Sequence, residues 1–370
     1  MNYRILNEAE IQKWDDFVHS SRMGMIYQTW DWGNLMMRAQ KWTPQILVME
    51  ENGKIKAGAL IAYKRLPLLN KTTVRIPRGF VWQGDLSQEI MDNLLESFEH
   101  FTRQVCGLSC TFGICLPEII NLSKNEQYHL YDEWIMANKK ILKVPALDGR
   151  STFWIDLTQS EDKIWGNINR DYRYNINKSQ KTGVVVGFSE DDNLLDLFYN
   201  FYSKMFERKG IESSGYVYFD QGVRKLIQNK KCRIFYAKYN DKIINIVIIS
   251  LIGIPRYIWG AVSTEDDRLP PSGHLIQWEI IKWLKSQNYQ IYDLGGTPGY
   301  NLDKKHPNYG VWFFKKRFGG DYVEFFGDYD LVVNRPLYQL YQKILPAYKR
   351  TVKIFKNKQL MFRCVPTPKP

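Results

Sequence analysis

A carboxylate followed by two glycines is the first feature of the sequence whose residue types suggest chemistry. Asp293 lies near the end of a short predicted strand, residues 291–294, and Gly295 and Gly296 follow. Sites in α/β folds collect at the ends of buried strands, where a carboxylate can orient an amine or accept its proton. The carboxylate could equally cap the N–H groups of the turn, and the glycines could serve a close substrate contact or a positive φ. The sequence leaves these roles open.

Cysteine and histidine chemistry is not favoured. The five cysteines are odd in number and show no Cys-x-x-Cys spacing, and the five histidines form no His-x-x-x-His pair. Disulfides and zinc sites are therefore not expected, and a reducing compartment fits. We find no serine elbow either, so the sequence predicts no metal, no cofactor and no obvious nucleophile.

The chain is strongly basic, with a formal net charge of +12 and a pI near 9.2. This surplus favours a polyanionic partner such as nucleic acid, an anionic membrane or a phosphate-bearing substrate, although it could serve solubility alone. Two local clusters stand out: the run Lys315, Lys316 and Arg317, and a predicted helix that carries Arg173 and Lys178. Both could contact RNA phosphates, and both could be ordinary solvated surfaces.

Two hairpins at equivalent places indicate an internal duplication. Residues 45–63 contain the turn Asn52-Gly53, and residues 233–252 contain the turn Asn240-Asp241, 188 residues later. Asn-Gly between apolar runs is a strong hairpin signal. Repetition of helix, hairpin and strand predicts an α/β protein of two tandem acyltransferase-type domains, residues 1–150 and 151–370.

The second half has the element order of the Gcn5-related N-acyltransferase (GNAT) core: a strand at 257–262, a helix at 273–287 and a strand at 291–294. GNAT enzymes usually bind the pyrophosphate of acyl-CoA on backbone amides that open this helix. Here Pro270 and Pro271 remove two amide donors, and three acidic residues at 265–267 would repel phosphate. The pattern favours another activated acyl donor.

Motifs along nearly the whole chain resemble the FemABX family of peptidoglycan bridge aminoacyltransferases. They lie at residues 77–79, 155–157, 173–178, 183–184, 208–211, 259–261, 277–279, 292–296, 310–320 and 326–331. The segment Phe-Lys-Lys-Arg-Phe-Gly-Gly at 314–320, preceded by Asp-Leu-Gly-Gly at 293–296, is the most specific. The absence of a charged, heptad-like run between 185 and 235 makes the chain similar to the FemX type, which has no inserted helical arm.

The resemblance implies a function and a set of residues. It implies two tandem GNAT-like domains, aminoacyl-tRNA as donor and a lipid- or nucleotide-linked muropeptide precursor as acceptor, joined by direct aminolysis of the ester. Lys315 would be the catalytic cation near the ester carbonyl. Asp293 is the second candidate catalytic residue, placed by its position at the end of the strand to orient the amine or accept its proton. The implied substrate-binding residues are Phe314, Arg208, Arg38, Gly295, Gly296, Arg78 and Gly79. The implied tRNA-binding residues are Arg173, Lys178, Lys316 and Arg317.

One position departs from the family pattern. FemX-type enzymes place a phosphate-binding lysine one turn after an early tryptophan, and the stretch here is Trp-Asp-Trp-Gly-Asn-Leu-Met-Met-Arg at 30–38. The corresponding residue is Met36, and Arg38 is the nearby cation. Arg208 is a second candidate for the acceptor phosphate, or a residue of a surface salt bridge.

The C-terminal segment suggests a location. From Leu331 onward there is no Asp or Glu, and leucines and tyrosines recur at helical spacing up to Pro346, which is expected to break the helix. Such a basic amphipathic stretch could lie on an anionic membrane or on RNA, or dock on its own domain. Residues 1–13 have no signal-peptide character and no apolar run reaches 18 residues. We therefore expect a soluble cytoplasmic monomer, peripheral on the inner face of the membrane.

Two alternatives remain open on the sequence. The first is an acyl-CoA-dependent N-acyltransferase of a nucleotide sugar or surface polysaccharide precursor. The second is a non-catalytic RNA- or membrane-binding protein, for which the basic charge would be the main functional feature.

Overall fold

The computed structural model describes residues 2–21, 23–67, 69–119, 126–145, 151–264 and 268–363. Fourteen strands lie in these residues: β1 (Asn2–Ile5), β2 (Thr43–Glu51), β3 (Lys54–Arg65), β4 (Thr72–Ile76), β5 (Val81–Trp82), β6 (Gly107–Ile119), β7 (Ile141–Val144), β8 (Ser151–Asp156), β9 (Val185–Ser189), β10 (Cys232–Tyr239), β11 (Lys242–Ser250), β12 (Arg256–Val262), β13 (Ile291–Asp293) and β14 (Asp321–Val332).

The α-helices of the described residues are α1 (Ile11–Ser20), α2 (Trp30–Gln40), α3 (Gln88–Gln104), α4 (Glu126–Ala137), α5 (Glu161–Asn167), α6 (Arg170–Lys181), α7 (Leu195–Arg208), α8 (Tyr216–Tyr218), α9 (Arg224–Gln228), α10 (Gly273–Ser286), α11 (Tyr309–Lys316) and α12 (Arg335–Arg363). Short 3-10 turns at Glu8–Glu10 and Ile26–Gln28 precede α1 and α2, and a π-helical turn at Phe219–Val223 precedes α9.

The strand order repeats in the two halves of the chain. The described strands follow one hydrogen-bonded path, β1-β2-β3-β4-β6-β14-β8-β13-β12-β11-β10-β9, with β5 beside β3 and β7 beside β14. In the first half β1 to β4 pair antiparallel and β6 lies parallel to β4. In the second half β9 to β12 pair antiparallel and β13 lies parallel to β12. The predicted tandem GNAT-like fold is confirmed.

The two hairpins share an irregularity as well as a turn. The register of β2 with β3 shifts between Met49 and Glu50, and that of β10 with β11 shifts between Ala237 and Lys238. Both shifts obey the offset of 188 residues read from the turns. Both turns also have two residues with positive φ, which is typical of type I′ hairpins. A shared bulge is independent support for the duplication, because a turn signal alone does not specify it.

The halves are interlocked. Strand β14, from the end of the chain, pairs with β6 and β7 of the first half and with β8 at the start of the second. Ile26 and Leu35, from the first half, pack in the core formed by α7, α9 and β10–β12. The proposed boundary at 150/151 adjoins residues 146–150, outside the described residues, and stays a prediction.

Helix α12 continues through Pro346, so the predicted break at this residue is wrong. Proline removes one backbone hydrogen bond from the helix interior. Upstream, Tyr338 and Tyr341 pack with Leu108 and Val332 in a small core, which anchors the first turns. No helix in the described part of the chain is both long and apolar enough to cross a bilayer.

Candidate active site

The candidate site lies where the two parallel strands of the second half separate. Strands β12 and β13 meet at a single register pair, Arg256 and Asp293. Beyond it β12 continues through Tyr257, whereas the chain after Asp293 turns away at Gly295 and Gly296. This splay is the feature of the GNAT core that exposes backbone groups to an acyl donor, and the charged pair Arg256 and Asp293 lies at its start.

Lys315 extends from the last turn of α11 into this splay. The residue is only 6% exposed, and its Nζ donates a hydrogen bond to the carbonyl oxygen of Gly296 at 2.9 Å. The same Nζ lies 5.7 Å from the ring centroid of Tyr257. Burial lowers the pKa of Lys315 to about 7; the positive charge of Arg256 lowers it further, and Asp293 opposes the shift. A lysine with this pKa can lose and regain a proton near neutral pH.

Asp293 is fully buried and its carboxylate is occupied. It accepts hydrogen bonds from the hydroxyl of Thr152 and from the backbone N–H of Gly295, the latter at 2.7 Å, and it forms an ion pair with Arg256. Of the two roles considered from the sequence, these contacts show the cap of the glycine turn. With both oxygens engaged and no exposed surface, Asp293 is placed to position the turn and to influence the charge of Lys315.

Glycine is required at position 295 because neighbouring atoms leave too little room for a Cβ. Its φ is +82°, and a Cβ at this position would lie 2.6 Å from the carbonyl oxygen of Tyr257 and 3.2 Å from Nζ of Lys315. Both the backbone conformation and the available space therefore favour glycine. Gly296 contributes its carbonyl oxygen to Lys315, so the two glycines shape the splay and hold the lysine.

An aromatic cluster borders the site and covers the start of α10. Phe314, next to Lys315, packs 5.2 Å from Phe318 and 5.5 Å from His274, measured between ring centroids. The His274 ring lies 4.0 Å from that of Tyr172 on α6. Burial lowers the pKa of His274 to about 4, so its imidazole is neutral at pH 7. The helix end that carries pyrophosphate in acyl-CoA enzymes faces aromatic rings here.

The predicted RNA-contacting residues lie on the outer side of α11 and on α6. Lys316 and Arg317 border a groove of about 350 Å³ together with Asn167, Asn169, Tyr309, Trp312 and Phe313. Nζ of Lys316 lies 4.7 Å from the Trp312 centroid, and the Arg317 guanidinium lies 4.8 Å from that of Phe313. On α6, Arg173 donates to the carbonyl oxygen of Gly166 at 3.3 Å, and Lys178 is exposed.

Arg78 connects the first half of the chain to this site. It follows β4 with a φ of +56°, and Gly79 follows with a φ of +82°. Two guanidiniums lie near the Tyr27 ring, that of Arg78 at 5.4 Å and that of Arg256 at 5.9 Å from its centroid. Since Arg256 also pairs with Asp293, a chain of contacts runs from Arg78 to the splay.

Arg38 and Arg208 are not brought to the lysine. Both are exposed, near the ends of α2 and α7, and no contact among the described residues joins either one to Lys315. Met36, at the position of the family's lysine, is buried at 3% exposure and packs inside the protein. A role of the two arginines toward an acceptor stays a prediction.

Sequence reasoning missed Arg256, Thr152 and Tyr257. Arg256 stands at the start of an apolar strand, and a charged residue in such a place is a usable signal. Its partner could not be inferred, because the pairing with Asp293 depends on two strands 37 residues apart becoming parallel neighbours. Thr152 carries no comparable signal.

A repeated α/β acyltransferase core, with a buried lysine in the splay of its second copy, defines a tandem GNAT-fold protein. The model of the FemAB family matches residues 144–242 and 256–345, just over half of the chain, and the chain belongs to this family. It is similar to the lipid II:glycine glycyltransferase of Staphylococcus haemolyticus (strain JCSC1435), with 23% identity over 93% of this chain and 96% of the relative.

Solved structures show the same fold. The crystal structure of FemX superposes with a TM-score of 0.78 at 21% identity, covering 92% of this chain and 99% of that one. A tandem GNAT protein from the clavulanic acid biosynthesis pathway gives a TM-score of 0.51 at 12% identity, covering 89% and 97%.

Proposed function

We propose that this protein transfers an amino acid from aminoacyl-tRNA to an amine of a lipid-linked peptidoglycan precursor. The observation that carries the proposal is Lys315, buried in the splay with its Nζ held by the carbonyl oxygen of Gly296. Membership in the FemAB family and similarity to enzymes named lipid II:glycine glycyltransferase support the aminoacyl-transferring class and the lipid-linked acceptor.

The proposed reaction is direct aminolysis. The acceptor amine attacks the ester carbon, a C–N bond forms, and the carbonyl oxygen becomes an oxyanion. In this proposal the ammonium of Lys315 donates a hydrogen bond to that oxyanion. Collapse breaks the bond to the ribose oxygen, which gains a proton as the attacking nitrogen loses one. With a pKa of about 7, Lys315 is suited to give one proton and take up the other.

Two features support a nucleic acid as the acyl carrier. The groove beside α11 combines Lys316 and Arg317 with aromatic rings, and such a combination suits phosphates and stacked bases. The start of α10 packs against Tyr172 and Phe314, which leaves the usual pyrophosphate position of acyl-CoA facing rings. We further propose that the protein acts as a monomer in the cytoplasm, at the inner face of the membrane.

The test is transfer of label. The purified protein is incubated with tRNA charged with labelled glycine, alanine or serine, and with lipid-linked or nucleotide-linked muropeptide precursors. We expect label on the precursor amine with charged tRNA and none with acetyl-CoA as donor. Transfer from acetyl-CoA, with none from any charged tRNA, would overturn the proposal and favour the N-acyltransferase alternative.

A further inference from the structure

A second basic groove lies in the first half of the chain, apart from the site on α11. It encloses about 660 Å³ between the ends of β2, β3 and α3 and the start of β4. Lys41, Lys64, Arg65 and Lys71 contribute four cationic side chains, and no carboxylate belongs to its described lining. Its other residues are mostly polar, with Tyr63 and Val105 among them. A concave surface with this charge suits a phosphate group.

Next to this groove lies the base of α12. Leu66 and Leu69, in the loop between β3 and β4, pack against the small core that contains Tyr338 and Tyr341 of the helix. Cations flank this loop, since Lys64 and Arg65 end β3 before its leucines and Lys71 follows them. The loop beside the groove therefore adjoins the base of α12.

The outer side of α12 is apolar and basic. Leu340 and Ile344 are one turn apart and are 52% and 41% exposed. Lys343 and Arg350 are exposed on the same helix. From Arg335 to Arg363 the helix contains no acidic residue. Exposed apolar side chains among cations are typical of helices that lie in the interface of an anionic bilayer.

We propose that this face, formed by the groove at Lys41, Lys64, Arg65 and Lys71 and by the outer side of α12, docks on an anionic phospholipid bilayer. The groove takes the phosphate of a lipid headgroup, while Leu340 and Ile344 enter the interface. Charge complementarity carries the choice of occupant, because the described lining of the groove has four cations and no carboxylate, and the neighbouring helix has no acidic residue. The inference rests on the proposed function only in that a lipid-linked acceptor requires the enzyme to reach a membrane.

The experiment measures cosedimentation of the full chain with vesicles, without donor or acceptor. Vesicles of phosphatidylcholine alone are compared with vesicles that contain phosphatidylglycerol. Arg65→Gln/Lys71→Gln neutralises the groove, and Leu340→Gln/Ile344→Gln removes the apolar contact. Lys225→Gln/Lys242→Gln, which alters two exposed lysines of the second half, is the matched control.

We expect binding to the phosphatidylglycerol vesicles only. The groove variant should bind roughly thirtyfold more weakly, since each cation near an anionic surface contributes about a fivefold factor. The helix variant should also weaken binding, and the control should match the native protein. Equal binding to both vesicle types, or equal losses in the groove variant and the control, would overturn the proposal.

Two further outcomes distinguish a membrane-docking groove from an RNA-binding groove. If the groove variant binds vesicles normally but loses affinity for charged tRNA, the groove is an RNA site and the proposal is wrong. If it loses vesicle binding but transfers label normally to a soluble, nucleotide-linked acceptor, the docking surface is supported separately from the chemistry. Failure of label transfer in the native protein would count against the proposed function alone, because vesicle binding is measured without it.

Discussion

Lys315 is a charged side chain in a place where charge is costly. Its Nζ has one described hydrogen bond, to Gly296, and lies between the opposing influences of Arg256 and Asp293. Replacing it with alanine should reduce turnover on charged tRNA by roughly a hundredfold, because loss of one oxyanion donor raises the barrier by about 3 kcal/mol. Lys315→Arg should restore activity only in part, since a planar guanidinium does not reproduce a compact ammonium.

Lys316→Ala is the comparison for this prediction: Lys316 is adjacent in sequence but exposed in the proposed tRNA groove, so its loss should raise KM for charged tRNA and change kcat much less than Lys315→Ala does. Steady-state kinetics and a thermal melt should be recorded for each variant. If Lys315→Ala and the native protein turned over equally, Lys315 would have no part in catalysis.

The pH dependence of catalysis follows from the same cluster. The charged form of Lys315 exists below its pKa of about 7, so kcat/KM should fall as pH rises through this value. Asp293 raises that pKa and Arg256 lowers it. Asp293→Asn should therefore move the falling limb to lower pH, and Arg256→Gln should move it to higher pH. Shifts in the same direction would show that the two residues act only through folding, which a thermal melt would report independently.

Individual residues of the site could be predicted where chemistry and local pattern coincide. Asp293, Gly295, Gly296 and Lys315 were found from the sequence and its family resemblance, and the structure brings them into contact. Arg256 could not be placed, because its role depends on the register of two distant strands. The buried state of Lys315 was also hidden, since a Lys-Lys-Arg run usually indicates a solvated surface.

At the scale of elements, the turn between β13 and the following chain can be tested by a matched pair of glycines. Gly295 has a φ of +82° and would place a Cβ against Tyr257 and Lys315, whereas Gly183 has a φ of +91° and no atom within 4 Å. Gly183→Ala should cost about 1–2 kcal/mol of unfolding free energy from backbone strain alone. Gly295→Ala should cost more and should also lower turnover, as measured by denaturant unfolding and label transfer. Equal losses of unfolding free energy in the two variants would mean that the space around Gly295 can expand to accept a Cβ.

Strands and helices were mostly predictable, and their partners were not. The hairpin β2–β3, strand β12 and helix α10 lie within a few residues of their predicted positions, because alternation, turn residues and helical spacing are local signals. The pairing of β14 with β6 has no local signal, since it joins residues about 200 positions apart. The continuation of α12 past Pro346 was missed for a related reason: anchoring by Tyr338 and Tyr341 is tertiary.

At the scale of the whole molecule, the two halves meet around a buried ionic cluster. Lys231, which precedes β10, forms ion pairs with Asp15 of α1 and Asp31 of α2, the second at 2.6 Å. Asn229 donates to Asp31 at 2.7 Å. The side chains of the three charged residues are between 8% and 13% exposed. One cation thus holds two carboxylates from the other half of the chain. This ionic cluster joins the halves in addition to strand β14, which pairs with strands of both.

Removal of that cation should destabilise the molecule strongly. Lys231→Met leaves two carboxylates buried side by side, and an uncompensated buried charge typically costs about 3–5 kcal/mol. Lys230→Met, at an exposed neighbouring position, should change the free energy of unfolding by less than about 0.5 kcal/mol.

Burial already raises the pKa of Asp15, and loss of Lys231 removes an interaction that lowers it. The folded variant should then bind a proton more readily than its unfolded chain, so its deficit should shrink as pH falls toward 4. Adding Asp15→Asn should recover part of the loss at neutral pH. Denaturant titrations at several pH values provide the measurement, and a deficit that stays small and independent of pH would show that the cluster is solvated and does not hold the halves together.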